Sequence, residues 1–245
     1  MEDRVISLRK DRVISLTKTG NSDGVKVPFI FTGLSWGPIY RGRVVRKVRK
    51  TIHTGNLFQR IFGLGPTELV EEEIVDNEGS REDVDLDSSI LMYNSNKSLI
   101  ETVYFGKKTS IDRSIFHYGD DTTGSNKKGK KDNEVIRINL KEVNSNCNYI
   151  VVILNSYTHH KFDEIPYINM RIYGNKSEDE NDMGEVLASY QIDNSPEFKG
   201  KESLVLGVFY RTKEHWDFKA CGITTKERSI ESISKGSARK AIDSL

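Results

Sequence analysis

The sequence predicts an all-β protein: a β-sandwich of two mainly antiparallel sheets, carrying a long charged insertion and a few short helices. Three observations support this. Short β-branched and aromatic runs recur along the chain with turn residues between them. Two of these runs, Tyr149–Leu154 and Leu204–Tyr210, are continuously apolar, as strands covered on both faces are. Helical periodicity is scarce, and the segment from Lys226 is the weak exception.

The elements follow in chain order. Asp3–Lys10 is repeated by Asp11–Lys18, the two copies differing only at Arg9 against Thr17. Each copy holds a Val-Ile-Ser-Leu strand bounded by charges. Two copies without a third read as a strand pair and not a solenoid. Val25–Thr32 is a further apolar strand, ending at Gly33, and Leu99–Phe105 is another, ending at Gly106. Val135–Leu140 alternates, with Ile136, Ile138 and Leu140 on one face and Arg137 and Asn139 on the other.

The chain has 245 residues, with 37 Lys+Arg against 36 Asp+Glu, a net charge of +1. It is long enough to bury a substantial core. The near-zero charge excludes a uniform basic coat for nucleic acid. The two cysteines, Cys147 and Cys221, make neither a disulfide scaffold nor a four-thiolate zinc site, and read as buried packing residues. The charged start lacks a signal-peptide core, and the apolar runs fall far short of the ~20 residues that span a bilayer. The expected location is the cytoplasm. The balanced total hides segregation: Arg41–Arg60 holds 7 bases and no acid, whereas Glu68–Asp87 holds 10 acids and one base, Arg81.

Chemistry concentrates in two acidic clusters. Asp85 and Asp87 flank Leu86, so in a strand both carboxylates share a face while Val84, Leu86 and Ile90 turn into the core. Close carboxylates repel unless a proton or cation joins them, and hard oxygen ligands suit Ca²⁺ or Mg²⁺. The plain alternative is a solvated polar face. The second cluster is Gly119-Asp120-Asp121-Thr122-Thr123-Gly124 followed by Asp132-Asn133-Glu134, with Lys127, Lys128, Lys130 and Lys131 between its halves. It lacks EF-hand spacing, and its alternative is a capped surface turn. Phosphate-binding loops, nucleophile elbows and H-E-x-x-H motifs are absent from the sequence. The basic residues Arg41, Arg43, Arg46, Lys47, Arg49 and Lys50 interleave with Val44, Val45 and Val48 and continue toward Ile52, Leu57, Phe58, Ile61 and Phe62. They read either as a docking surface for nucleic acid or an anionic membrane, or as an extended hairpin neutralised by the acids of 68–87.

Taken in order, the motifs resemble the tellurite-resistance and general-stress proteins built on the TerD-type domain. Val5-Ile6-Ser7-Leu8 and Val13-Ile14-Ser15-Leu16 are similar to the family's opening strands, and Gly33-Leu34-Ser35-Trp36 to its G-L-x-W stretch. Val84-Asp85-Leu86-Asp87-Ser88-Ser89 resembles its D-L-D-x-S element. His117-Tyr118-Gly119-Asp120 with Thr123-Gly124, then Asp132-Asn133-Glu134, then Phe162, Arg171, Tyr210-Arg211 and Trp216–Gly222 follow its order. The resemblance implies one domain over 1–245, with a core at about 4–40 and 84–222, an insertion at 41–83 and a tail at 223–245. It also implies a calcium-binding β-sandwich without enzymatic activity. Its cofactor is Ca²⁺, its partners are other stress-response proteins, and it has no small-molecule substrate. The calcium ligands carried over are Asp85, Asp87, Asp120, Asp121, Thr123, Asp132 and Glu134. Two departures stand out: the Lys-rich bridge 125–131 is lengthened, and Asn133 replaces the family's middle acid.

Two other functions compete with this one. One is an adaptor that docks on nucleic acid, or peripherally on the inner face of the membrane, through 41–60. The other is a metal-dependent hydrolase on the same carboxylates, with His117 as general base.

Overall fold

The computed structural model describes residues 13–16, 29–56, 66–77, 79–125, 131–181, 184–192, 195–213 and 215–245. The first copy of the N-terminal repeat, Val25–Pro28, the apolar residues Leu57, Phe58, Ile61 and Phe62, and Lys127, Lys128 and Lys130 lie outside the described residues. The chain divides into two compact units, one made of 1–38 with 83–245 and the other of 39–82.

The first unit is the predicted sandwich. Its six-stranded sheet runs, edge to edge, β1 (Val13–Ser15), β15 (Trp216–Thr225), β14 (Ser203–Arg211), β11 (Tyr149–Ser156), β7 (Leu86–Tyr93) and β8 (Leu99–Val103). Its five-stranded sheet runs β13 (Glu185–Ile192), β12 (Ile168–Asn175), β2 (Phe29–Trp36), β10 (Glu134–Ile138) and β9 (Ile115–His117). Every pairing in both is antiparallel. The second copy of the repeat does form a strand, but its partner is β15, with Ile14 opposite Phe218.

The apolar runs are explained by what covers them. Leu91, Tyr93, Val151, Ile153, Val205 and Val208 on one face of the six-stranded sheet pack against Ile233, Ala238, Ala241 and Ile242. Those four come from two short helices, α1 (Ile230–Lys235) and α2 (Ser237–Asp243). The opposite face meets the five-stranded sheet, so β11 is apolar from Tyr149 to Leu154 and β14 from Leu204 to Tyr210. The Ser229 hydroxyl caps α1 by accepting from the Ser232 N–H, and the Tyr93 hydroxyl donates to the Ser234 carbonyl at 2.8 Å. Residues 223–245 are therefore not an appendage: they complete β15 and close one face of the sheet. Cys147 and Cys221 are buried thiols not joined in a disulfide, as packing residues are.

β2 differs from the sequence expectation in a telling way. It does not stop at Gly33 but runs through it to Trp36. A Cβ at Gly33 would lie 1.9 Å from Asp132 Oδ2, so glycine is here a matter of space above the sheet and not of a turn.

The second unit is made of two strand pairs. β3 (Ile39–Arg41) pairs with β6 (Ser80–Glu82), and β4 (Val44–His53) pairs with β5 (Thr67–Asn77). The charge segregation sets bases of β4 beside acids of β5 along their antiparallel ladder. Arg46 pairs with Asp76 at 3.0 Å, Arg49 with Glu71 at 3.3 Å, Lys50 with Glu72 at 3.7 Å and Lys47 with Glu73 at 3.9 Å. All four pairs are exposed, so each contributes at most about 1 kcal/mol.

If the helical cap is core, Leu91→Ala should lower unfolding free energy by about 2–5 kcal/mol, read as a fall in the urea midpoint. A loss within 0.5 kcal/mol, the range of a surface substitution, would contradict this packing.

Candidate metal centre

The pairing of β7 with β8 covers Ile90–Tyr93 only, Ile90 lying opposite Val103. The start of β7 thus stands beside a sheet margin, and the acidic residues gather there. Asp85, just before β7, Asp87, within it, and Asp120, in the loop after β9, present carboxylate oxygens that all lie within 4.8 Å of one another. Val84, Leu86 and Ile90 are fully buried, which fixes the D-L-D register. Asp85 and Asp87 are buried and Asp120 is exposed.

Charge is crowded there. Burial, then the carboxylates of Asp120, Glu134 and Asp121, push Asp85 from 3.8 up to about 6. Burial, then Glu134, Asp85 and Asp120, push Asp87 from 3.8 up to about 8, partly offset by the Asn155 amide. Three buried acceptor oxygens nearby lack a hydrogen-bond donor: Asp85 Oδ1, Glu134 Oε1 and Asn155 Oδ1. Buried acceptors are rarely left so, and an oxygen-only donor set of this kind fits a hard divalent cation.

The other sequence-predicted ligands are engaged elsewhere. Asp121 Oδ1 accepts from the Thr123 N–H and hydroxyl at 2.9 Å and from the Gly124 N–H at 3.1 Å, while its Oδ2 accepts from Asn133 Nδ2 at 2.8 Å. Although burial pulls the other way, these donors hold the Asp121 carboxyl below the ordinary range. Asp121 and Thr123 thus build a turn. Asn133 is spent as well, because its Oδ1 accepts from the Trp36 N–H at 3.0 Å. An aspartate at 133 could not donate to Asp121, so the departure from the family pattern has a local structural role.

Asp132 is clamped by Arg171 of β12. Arg171 Nε donates to its two oxygens at 3.0 and 3.1 Å, and the terminal nitrogen lies 2.9 Å from Oδ2. Burial raises the Asp132 carboxyl despite this partner. Glu134 Oε2 accepts from the Ser88 N–H at 2.7 Å and hydroxyl at 2.9 Å, tying β10 to β7. Burial raises Glu134 too, opposed by His117 and Ser88. His117 is fully buried, with Nε2 at 3.7 Å from Glu134 Oε2 and Nδ1 accepting from the Gly119 N–H. Asn155 is a site residue that the sequence motifs do not single out, and Ser88 enters them only within the D-L-D-x-S element. The available signal was a polar pair, Asn155-Ser156, ending a run covered on both faces.

Five of the six bases of 41–50 stand beside acids. Arg41 joins Glu82 at 2.6 Å, the four pairs of β4 and β5 account for Arg46, Lys47, Arg49 and Lys50, and Arg43 lies 5.5 Å over the Tyr40 ring. Among the described residues, no helix is long and apolar enough to cross a membrane.

A sequence profile of the TerD domain matches residues 5–235. The chain belongs to the TerD-domain family. Its TerD relatives include tellurium resistance protein TerZ of Serratia marcescens, 25% identical over 229 residues, with 94% of this chain and 95% of the relative covered. Stress response protein SCP2 of Bacillus subtilis (strain 168) is 28% identical over 234 residues, with coverage of 93% and 96%. The solved structure of a homologue of telluride resistance protein (TerD) from Streptomyces coelicolor A3(2) shares the fold, with a TM-score of 0.57 at 13% identity, over 86% of this chain and 98% of that one. This places the chain in a tellurium-resistance and stress-response family.

Two outcomes follow for the TerD site. Gly33→Ala forces Asp132 off Arg171 and should cost about 3 kcal/mol in denaturant unfolding, whereas Gly42→Ala, with open space around it but a left-handed backbone, should cost only about 1 kcal/mol. In cation-free protein, Asp85 and Asp87 hold protons to about 6 and about 8 when folded but ionise near 3.8 when unfolded. The folded state then binds more protons between those values, so stability falls as pH rises from about 4 to about 8. Asp87→Asn should flatten that fall and raise the melting temperature of chelator-treated protein at pH 8. Identical pH profiles for the two proteins would refute the crowding.

Proposed function

We propose that this TerD domain is a calcium-binding module of a stress response, acting through association with partner proteins and not through catalysis. The carrying observation is the convergence of Asp85, Asp87 and Asp120 within 4.8 Å beside acceptor oxygens that lack donors. Nitrogen and sulfur ligands take no part in that cluster, which favours Ca²⁺ or Mg²⁺ over a transition metal. Calcium is favoured of the two because it tolerates irregular oxygen geometry, while Mg²⁺ demands a near-ideal octahedron. Bound there, the ion supplies positive charge that relieves carboxylate repulsion and holds the 120–124 loop to the start of β7. Ion occupancy therefore orders a surface, the property a partner-binding switch needs. The names of the relatives, tellurium resistance and stress response, support the setting.

The hydrolase reading has less support, because His117 lies in the core, away from any incoming substrate. The docking reading through 41–60 has less support because the cations of β4 stand beside acids of β5.

Isothermal titration of Ca²⁺ into chelator-treated protein tests the proposal. Binding heat is expected, lost in Asp85→Asn/Asp87→Asn, with Mg²⁺ binding more weakly. At 100-fold excess over Kd the ion should add about 2.7 kcal/mol, a rise of roughly 5–10 °C in Tm. Absence of both heat and thermal shift overturns it.

A further inference from the structure

The sheet margin beside Asp87 also frames a cavity of about 560 Å³, lying between the start of β7, β8, the end of β11 and α1. Its size falls within the range of small-molecule sites. Leu99, Tyr104, Phe105, Tyr157 and Ile230 supply most of its wall. The three rings are linked edge to face, Tyr104 to Phe105 at 5.3 Å and Phe105 to Tyr157 at 6.1 Å, and so form a continuous aromatic side. Polar and charged side chains line the rest of it, the acids Asp87 and Glu231 among them. Asp87 and Asn155 lie opposite each other across β7 and β11 and both line the cavity. Two cations, Arg228 and Lys235, also line it. They lie 3.0 Å from Glu202 and 2.5 Å from Glu231 respectively.

Asp87 therefore belongs to two places at once: the three-carboxylate cluster and the wall of an apolar cavity. We propose that this cavity binds a small amphiphile with an aromatic or aliphatic body and an anionic head, and that its occupancy is coupled through Asp87 to the divalent cation. The coupling clause rests on the calcium reading above; the cavity itself does not. The apolar wall fits the body. The sign of the head follows from charge: without an ion the clustered carboxylates repel an anion, and a divalent cation on them removes that repulsion. Arg228 and Lys235 are paired with Glu202 and Glu231, so the sign of the head rests on the carboxylate cluster and its ion. An ammonium head would instead compete with the ion for Asp87. Linkage then requires that cation and anion each raise the other's affinity by one common factor.

The test uses the full chain and the dye 1-anilinonaphthalene-8-sulfonate, which has an aromatic body and a sulfonate head. Saturable one-to-one binding is expected in chelator, becoming tighter when Ca²⁺ is added, with the dye raising Ca²⁺ affinity by the same factor in calorimetry. Ile230→Trp, which fills the cavity, should abolish dye binding. Tyr157→Ala alters an exposed ring, so folding is spared, and should weaken binding about threefold to tenfold. Asp87→Asn should keep dye binding and lose its calcium dependence. Dye binding that is unsaturable, or unchanged in both cavity variants, overturns the site. Calcium that binds by calorimetry yet leaves dye affinity unchanged overturns the coupling, and calcium that weakens the dye overturns the anionic class. Should calcium fail to bind at all, the calorimetric control reports that separately, and the two cavity variants still decide the site.

Discussion

Arg171 and Asp132 meet over Gly33, and much of the chemistry hangs from that contact. Arg171, Gly33 and Val135 are neighbours across β12, β2 and β10, and only a residue without a Cβ leaves room for the Asp132 carboxylate above them. Once Asp132 is clamped, the residues after it have little freedom. Asn133 meets the backbone of Trp36 and Glu134 points between the sheets to Ser88. A buried ion pair of this kind is weak evidence for net stability, but breaking it leaves an uncompensated charge. Its value lies in position: it fixes where the acidic loop lands on the sandwich.

The carboxylate cluster shows the opposite economy. Asp85 and Asp87 are buried beside like charge, an arrangement that opposes folding when both are ionised. Such a site persists because the rest of the sandwich over-determines it. The D-L-D register is locked by Val84 and Leu86, and β7 is held along its length by β11. The protein thereby keeps a region of high negative potential at a sheet margin, where a cation can enter without the core being opened.

Where the sequence was readable, the reason was local. The apolar runs of β11 and β14 and the alternation of β10 report burial directly, and the i, i+2 spacing of Asp85 and Asp87 places them together because Leu86 must turn inward. Where it was not readable, the deciding partner lay far along the chain. Asp121 and Asp132 are carboxylates like Asp120, yet the first takes the Asn133 amide, 12 positions away, and the second goes to Arg171, 39 positions away. Gly33 reads as a strand end until Asp132 is seen above it. The acids that stand beside the bases of β4 come from β5, a pairing that the local pattern does not name. The closing helices were faint because six or seven residues carry little periodicity, and their packing against Leu91 and Ile153 is what stabilises them.

The charged unit begins at Ile39 and ends at Glu82, and these two residues are direct partners across β3 and β6. Opposite residues of an antiparallel pair lie about 4.5–5.5 Å apart at Cα. The chain thus departs and returns at almost one point, a gap that a tight turn would span. The unit behaves as a cassette: it can be lengthened, trimmed or exchanged over evolution, or by a protein engineer, without altering the register of β2 or β7.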